Sequence, residues 1–268
     1  MRATLRIATS VFRESVRDKV LYNLVLFAVL LMIASYLIGE LSAGQDVKII
    51  KDLGLGATSI FGLFIAIFIG IGLVSKEVER RSIYSLLAKP IHRYHVIVGK
   101  YLGLVLTLAV NVAVMATALY AVLAYTAWGV SPETARAWDA PALDPALVEA
   151  VGLIFLELTL VTAIALFFST FSTPILSAAL TAGFVISGHF SSDLRNFQSV
   201  VNSPVAAQLA RGLYWVLPNL AQFDIKAEVV HGRTVPLSYV ALAFSYTSLY
   251  VGALLVMSAF VFSRRNFK

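Results

Sequence analysis

Six apolar stretches, at 21–39, 55–74, 101–128, 147–171, 174–190 and 238–262, decide what this chain can fold into. The second reads LGATSIFGLFIAIFIGIGLV and carries no charge. A helix needs about 20 apolar residues to cross bilayer hydrocarbon. In that medium every backbone N–H and C=O must find a partner within the segment, so the stretches are read as α-helices. Composition agrees: 59% of the 268 residues are hydrophobic and 13% charged, against roughly 45–50% and 25% in soluble domains. The expected fold class is an all-α integral membrane protein, with one transmembrane domain of six transmembrane helices over residues 1–268. The third stretch is long, and Tyr120, Tyr125 and Trp128 mark where it reaches the interface, a layer that amphipathic rings favour. The fifth is short, which implies local thinning or a protein-lined cavity.

Charge sets the expected orientation. With the N-terminal segment, residues 75–100, the join near 172 and the C-terminal end on one face, that face holds 14 of the 21 Lys and Arg. Its acids are Glu14, Asp18, Glu77 and Glu79. The opposite face holds the other seven bases and ten acids, and Glu157 lies inside a span. Positive excess marks the cytoplasmic side, so both termini are expected there. The same rule accounts for the net charge of +6 without nucleic acid as a partner, because no basic patch is interleaved with a base-stacking surface. The first 20 residues carry charge throughout and lack a continuous apolar core, so no cleavable signal peptide is expected. The absence of cysteine removes disulfides, thiol catalysis and Cys-ligated metals.

Three segments outside the spans have structure of their own. Over residues 1–19, Arg2, Arg6, Arg13 and Arg17 fall in one helical arc, while Leu5, Ala8, Val11, Phe12 and Val16 occupy another. This predicts an interfacial helix, apolar face in the lipid membrane and arginines toward anionic headgroups. Between the fourth and fifth spans the chain reads FFSTFSTPILSAAL, with Thr173 as N-cap and Pro174 as first helical residue. In the outer region 191–237, Val201, Val205, Leu209, Leu213 and Val216 form an apolar face. Asn202, Gln208 and Arg211 make a seventh crossing expensive, so a helix on the outer surface is expected, ending near Pro218.

The remaining segment, SKEVERRSIYSLLAKPIHRYHVIVGK at 75–100, packs six Lys and Arg between two spans. Val78, Ser82 and Leu86, with Ile83 and Leu87, stand at helical spacing, and Lys89-Pro90 stops that helix. Arg93 to Lys100 then lead into the third span. The product is a short cytoplasmic hairpin with a basic, partly apolar surface, tied to two transmembrane helices.

In this segment Glu79, Arg80, Ser82, Ile83, Leu86, Leu87, Lys89, Pro90, Arg93, Gly99, Lys100 and Gly103 resemble the E-R-x-x-G-T-L-x-x-L-L-x-x-P-[VI]-x-R…G-K-x-x-G passage of ABC transporter permeases of the type 2 exporter group. Within that group the likeness is strongest to permeases associated with multicopper-enzyme maturation and nitrous oxide reductase assembly. It extends over most of the chain, from the interfacial segment to the basic end SRRNFK. Arg81 stands where the family usually has glycine, so the helix is expected to continue there rather than bend.

The resemblance implies an N-terminal elbow helix, a coupling helix over 76–90 seated in a separate ABC ATPase subunit, and outer amphipathic helices before the last span. Its ATPase-coupling residues would be Glu77, Glu79, Arg80, Ile83, Leu86, Leu87, Lys89, Pro90 and Arg93. It also implies a second permease copy, identical or related, an extracytoplasmic partner, and the inner (plasma) membrane of a bacterium or archaeon. ATP and Mg would bind the partner. This chain has no G-x-x-x-x-G-K-[ST] loop, and Gly99-Lys100-Tyr101 lacks the hydroxyl that holds magnesium. No cofactor and no catalytic residue is therefore assigned to it.

Candidate sites within the spans are few. His92 and His95 have no nearby carboxylate or cysteine to complete a metal site, and His189 and His231 are isolated in sequence, so no metal ligands are assigned. With no Cys and four Met, soft ligands for a copper path are scarce. Glu157 is the informative residue, because a charge at the centre of a span costs on the order of 2.5–3.5 kcal/mol unless it faces protein or water. It is expected to face the pathway or the dimer seam, with Asn111, Thr107, Thr159 and Thr162 sharing that seam. Two other functions stay open. An ion-gradient-driven secondary transporter usually shows paired broken spans with midplane charges, and an intramembrane enzyme would have to use Glu157 with His189.

Overall fold

The structure is a computed structural model that describes residues 2–40, 46–79, 93–136, 138, 140–191 and 204–264. Among these, the regular elements are all helical: α1 (Arg2–Ser15), α2 (Lys19–Glu40), α3 (Asp46–Glu79), α4 (Arg93–Trp128), α5 (Pro132–Arg136), α6 (Ala146–Ser169), α7 (Pro174–His189), α8 (Pro204–Val216), α9 (Lys226–Val230) and α10 (Leu237–Arg264), with a 3₁₀ turn at Ala221–Phe223. Five of them, α2, α3, α4, α6 and α10, are long and apolar enough to cross a membrane.

Helix α6 forms the centre of the bundle. Some 67% of its apolar window is buried, against 22% in α2 and in α10, which therefore present most of their surface to lipid. It packs on α3, α4, α7 and α10, while α2 lies against α3 and α4. What lets α3 approach so closely is a stripe of small residues four apart, Gly54, Thr58, Gly62, Ala66 and Gly70, all buried. A Cβ built on Gly70 would lie 2.5 Å from Ala165 Cβ and 3.2 Å from the Thr162 carbonyl oxygen. Lipid tails are as apolar as leucine, so helices in a bilayer associate through such close van der Waals contact rather than through expulsion of water.

The same device docks α1. Gly99 and Gly103 of α4 face it, and a Cβ on Gly103 would meet the Ala8 carbonyl oxygen at 2.6 Å and Val11 Cβ at 2.7 Å. Ala8, Val11 and Ser15 are buried, Arg6, Arg13 and Arg17 are exposed, and Leu5 is 59% exposed. The arginine arc thus points outward as expected, but much of the opposing stripe meets protein rather than lipid. An amphipathic face fits either environment, so periodicity could not distinguish them.

Helix boundaries differ from expectation around the basic insert. Helix α3 runs on to Glu79 and α4 begins at Arg93. Both arms of the insert are thus continuations of the two spans. Glu77 and Glu79 stand on the last turns of α3 and Arg93 opens α4, whereas Arg80, Ile83, Leu86, Leu87, Lys89 and Pro90 lie outside the described residues, as do Val201 and Asn202.

The fifth apolar stretch forms α7, whose 16 residues rise about 24 Å, short of the roughly 30 Å of hydrocarbon. Its start follows expectation in part: Thr173 has extended backbone at the N-cap and Pro174 opens the helix, but the Thr173 hydroxyl makes no capping bond. At its other end the chain returns to complete the layer. Leu220 N–H donates to the Gly188 carbonyl at 3.1 Å, and Leu220, Phe223, Ile225, Val229 and Val230 are buried. Residues 217–230 therefore form a segment of irregular backbone, a 3₁₀ turn and α9, with its apolar side chains buried and α9 packed on α3 and α6. The expected surface helix is present as α8 and ends before Pro218, but the stretch after it is packed inside protein.

Non-helical backbone at such a position needs partners, and tyrosines on one face of α10 provide them. The Tyr239 hydroxyl donates to the Gln222 carbonyl at 2.5 Å and the Tyr250 hydroxyl to the Val216 carbonyl at 2.5 Å. The Tyr246 hydroxyl accepts the Asn219 N–H at 2.9 Å.

Gly103→Val is expected to destabilise the protein by about 1–3 kcal/mol, the usual cost of overpacking. It should also raise labelling of a cysteine placed at Ala8, since α1 must lift from α4. Thermal unfolding in detergent and thiol labelling read both; unchanged values would show that the glycine contact is not needed for docking.

Candidate functional site

The site is built on α6 and α7. An acid inside an apolar helix must find a partner or neutralise, and α6 places Glu157 eleven residues beyond its first, at 5% exposure. Helix α7, running back antiparallel, ends at His189. There Nε2 lies 3.2 Å from Glu157 Oε1, and Nδ1 lies 3.0 Å from the Val185 carbonyl oxygen.

These two contacts determine how many protons the pair holds. A carbonyl oxygen only accepts, so Nδ1 must carry hydrogen. Across the other contact, either Nε2–H donates to a carboxylate, or a carboxylic O–H donates to bare Nε2. In both, one proton bridges the two groups. The contact offsets the desolvation penalty that a lone Glu157 would suffer. The arrangement is a hydrogen-bonded link that joins the central α6 to the short α7.

The other members of the expected seam do not join it. Asn111 Nδ2 donates to the Thr107 carbonyl at 2.8 Å, and the hydroxyls of Thr107, Thr159 and Thr162 bond to the carbonyls of Gly103, Leu156 and Leu158 on their own helices. Back-bonding of this kind satisfies a hydroxyl inside a span without any interhelical partner. A cross-link nearby is Tyr101, whose hydroxyl donates to the Thr159 carbonyl at 3.3 Å and ties α4 to α6. Of the remaining histidines, His95 stacks on Tyr94 at 4.1 Å, His231 caps α9 through its backbone N–H, and His92 lies outside the described residues. No group of three or more potential metal ligands occurs among the described residues.

Lys51, which sequence reasoning counted only as a charge of the outer face, is fully buried. Its Nζ donates to the Pro141 carbonyl at 2.8 Å and stands 3.9 Å from Asp144 Oδ2. Asp144 in turn accepts the Ala146 N–H at 2.9 Å at the start of α6. The beginning of α3 is thereby fastened to the beginning of α6, at the end of the bundle opposite α1.

A bundle of this kind, with membrane-length helices joined by close small-residue contacts and a hydrogen-bonded acid–histidine pair between two of them, defines a polytopic α-helical membrane protein. Residues 5–266 match the family described as ABC-2 family transporter protein, and the chain belongs to it. It is accordingly a multi-pass ABC transporter permease. A comparison with curated proteins finds no match.

His189→Leu should lower stability by about 1–3 kcal/mol, because Glu157 would be left buried without its acceptor or donor. Adding Glu157→Leu should recover most of that loss. Unfolding of both variants in detergent forms the test, and losses that simply add would show that the two groups do not act as a pair.

Proposed function

We propose that this permease couples ATP hydrolysis by separate ATPase subunits to export or conformational signalling across the membrane. Two copies, identical or related, line the pathway, and the termini and the 75–100 insert face the cytoplasm of a bacterial or archaeal cell. The basic insert is the ATPase contact: residues 76–90 form the coupling helix, with Leu86, Leu87 and Ile83 as its apolar anchor and Glu77, Glu79, Arg80, Lys89, Pro90 and Arg93 around it. ATP and Mg belong to that partner. Helix α7 counts as the sixth crossing, completed by the buried 217–230 segment. Glu157 and Asn111 are assigned to the pathway or to the seam between copies.

The observation that carries this reading is the length and continuity of α3 and α4. At 34 and 36 residues they rise about 51 and 54 Å, well beyond the roughly 30 Å of hydrocarbon. Unbroken helices that continue into the insert move as rigid bodies, so a displacement at 80–92 would reach the α3–α6 contact at Gly70 without being absorbed in a hinge. The narrower likeness, to permeases of multicopper-enzyme maturation and nitrous oxide reductase assembly, rests on the 79–103 passage. It makes an extracytoplasmic assembly protein the further partner to seek.

One observation favours a second reading. A pair that holds a single proton between α6 and α7 suits a secondary transporter driven by a proton gradient.

Leu86→Asp with Leu87→Asp separates the two. Under the first reading the doubly substituted chain stays helical and membrane-inserted, no longer co-purifies with the ATPase, and no longer changes its hydrolysis rate. Retained co-purification and retained stimulation would contradict it, and proton-driven uptake by the purified chain alone would establish the second.

A further inference from the structure

His189 stands between two hydrogen-bond acceptors. Its Nδ1 lies 3.0 Å from the Val185 carbonyl oxygen on its own helix, and its Nε2 lies 3.2 Å from Glu157 Oε1 on α6. A neutral imidazole has one N–H, and neither a carbonyl nor a carboxylate has a hydrogen to offer. Both contacts together therefore need one proton more than a neutral histidine and an ionised glutamate contain. Without that proton, one contact becomes repulsive. With hydrogen on Nδ1, the Nε2 lone pair faces the carboxylate; with hydrogen on Nε2, the Nδ1 lone pair faces the Val185 carbonyl. In either tautomer the charge of Glu157, a residue 5% exposed, has no opposite charge on the imidazole beside it.

The surroundings let the proton come and go but do not replace it. The His189 side chain is 37% exposed, so it exchanges protons with solution, whereas the Glu157 side chain is 7% exposed. Among the described residues, the charged groups acting on His189 are Glu157 on α6 and Asp224 on the segment before α9, both acids. Lys226 Nζ stands 3.5 Å from Asp224 and offsets part of its charge. Helix α3, which also packs on α7, has no charged residue from 53 to 75, and its Lys51 is held by the Pro141 carbonyl and Asp144.

We propose that the Glu157–His189 contact is a pH-sensitive fastener between α6 and α7, closed while the pair holds the added proton and loosened as that proton leaves. The sign follows from the proton count: the closed form holds one more than the loosened form, so rising pH favours loosening. What loosens is the His189 end of α7. Ser177, Thr181 and Val185, buried along the same helix, keep the rest of it packed. The proton is bound and released in one place, so the fastener needs no proton flux and does not depend on the ATPase or on the direction of transport.

The test measures the distance between α6 and α7 in the purified full-length chain in detergent. The sequence has no cysteine, so Val148→Cys on α6 and Ile186→Cys on α7, at positions 64% and 61% exposed, carry a pair of spin labels for pulsed electron resonance. Between about pH 6 and about pH 9, on either side of much of the usual histidine range, the longer-distance population should grow about three- to tenfold, the change that loss of one hydrogen bond makes. Glu157→Gln, added to the labelled chain, should abolish the dependence, because its carboxamide N–H donates to bare Nε2 and both contacts survive with a neutral ring. His189→Gln, which removes the titrating ring, should abolish it as well. Size-exclusion profiles check that both variants keep the fold. Distances in the otherwise wild-type chain that do not respond to pH, or a response retained in either folded variant, would overturn the proposal.

Discussion

The structure depends on one constraint: backbone polar groups removed from water must be satisfied by the protein itself. Ordinary spans meet it with their own helical ladder. The segment after α8 cannot, because Pro218 and the turn at Ala221–Phe223 break the ladder, and its apolar residues Leu220 and Phe223 are nonetheless fully buried. Tyr239, Tyr246 and Tyr250 of α10 fill the gap with three hydroxyl contacts to backbone atoms between Val216 and Gln222. The same chain stretch caps α7 through the Leu220–Gly188 bond. The short α7 packs on α6 and α3, and this segment closes its far end, where His189 meets Glu157.

Close packing by small residues supplies the second layer of order. The Gly54 to Gly70 stripe on α3 and the Gly99 and Gly103 pair on α4 let backbones come near enough for dispersion to replace the missing hydrophobic drive. Gly99 and Gly103 are also the end of the passage that resembles exporter permeases, so that part of the pattern has a packing reason: it seats α1. The consequence is mechanical. Helix α4 connects the basic insert to α1, α3 connects it to the central α6, and neither contains a break among the described residues.

Much of this was legible in the sequence, for physical reasons that differ by element. The long spans were readable because the bilayer demands a long uncharged run, and few other folds do. Helix α8 was readable from its apolar spacing up to Pro218. The burial of Leu220, Phe223 and Ile225 was not, because Asn219, Asp224 and Lys226 among them mark a surface stretch, and Asp224 does stay exposed. The tyrosines of α10, at spacings of seven and four on one helix face, were the available signal. The partner of Glu157 was likewise hidden: His189 is isolated in the chain, and only the antiparallel return of α7 brings it to 3.2 Å. Lys51 read as an outer-face charge because nothing local announces the Pro141 carbonyl that takes its proton donor.

The functional account joins these layers. The Glu157–His189 pair joins the short α7 to the central α6, and two overlong helices lead from the core to the basic insert. The first of these presupposes that the segment 217–225 stays held on α10. Hydrogen–deuterium exchange over residues 217–224, compared between the wild-type chain and a Tyr239→Phe, Tyr246→Phe, Tyr250→Phe variant in the same detergent, tests that most directly. The account predicts slow exchange in the wild type and at least tenfold faster exchange of this peptide in the variant, with α6 unchanged, as expected when the Asn219 N–H loses its acceptor and two carbonyls lose their donors. Rapid exchange in the wild type, or identical exchange in both proteins, would contradict it.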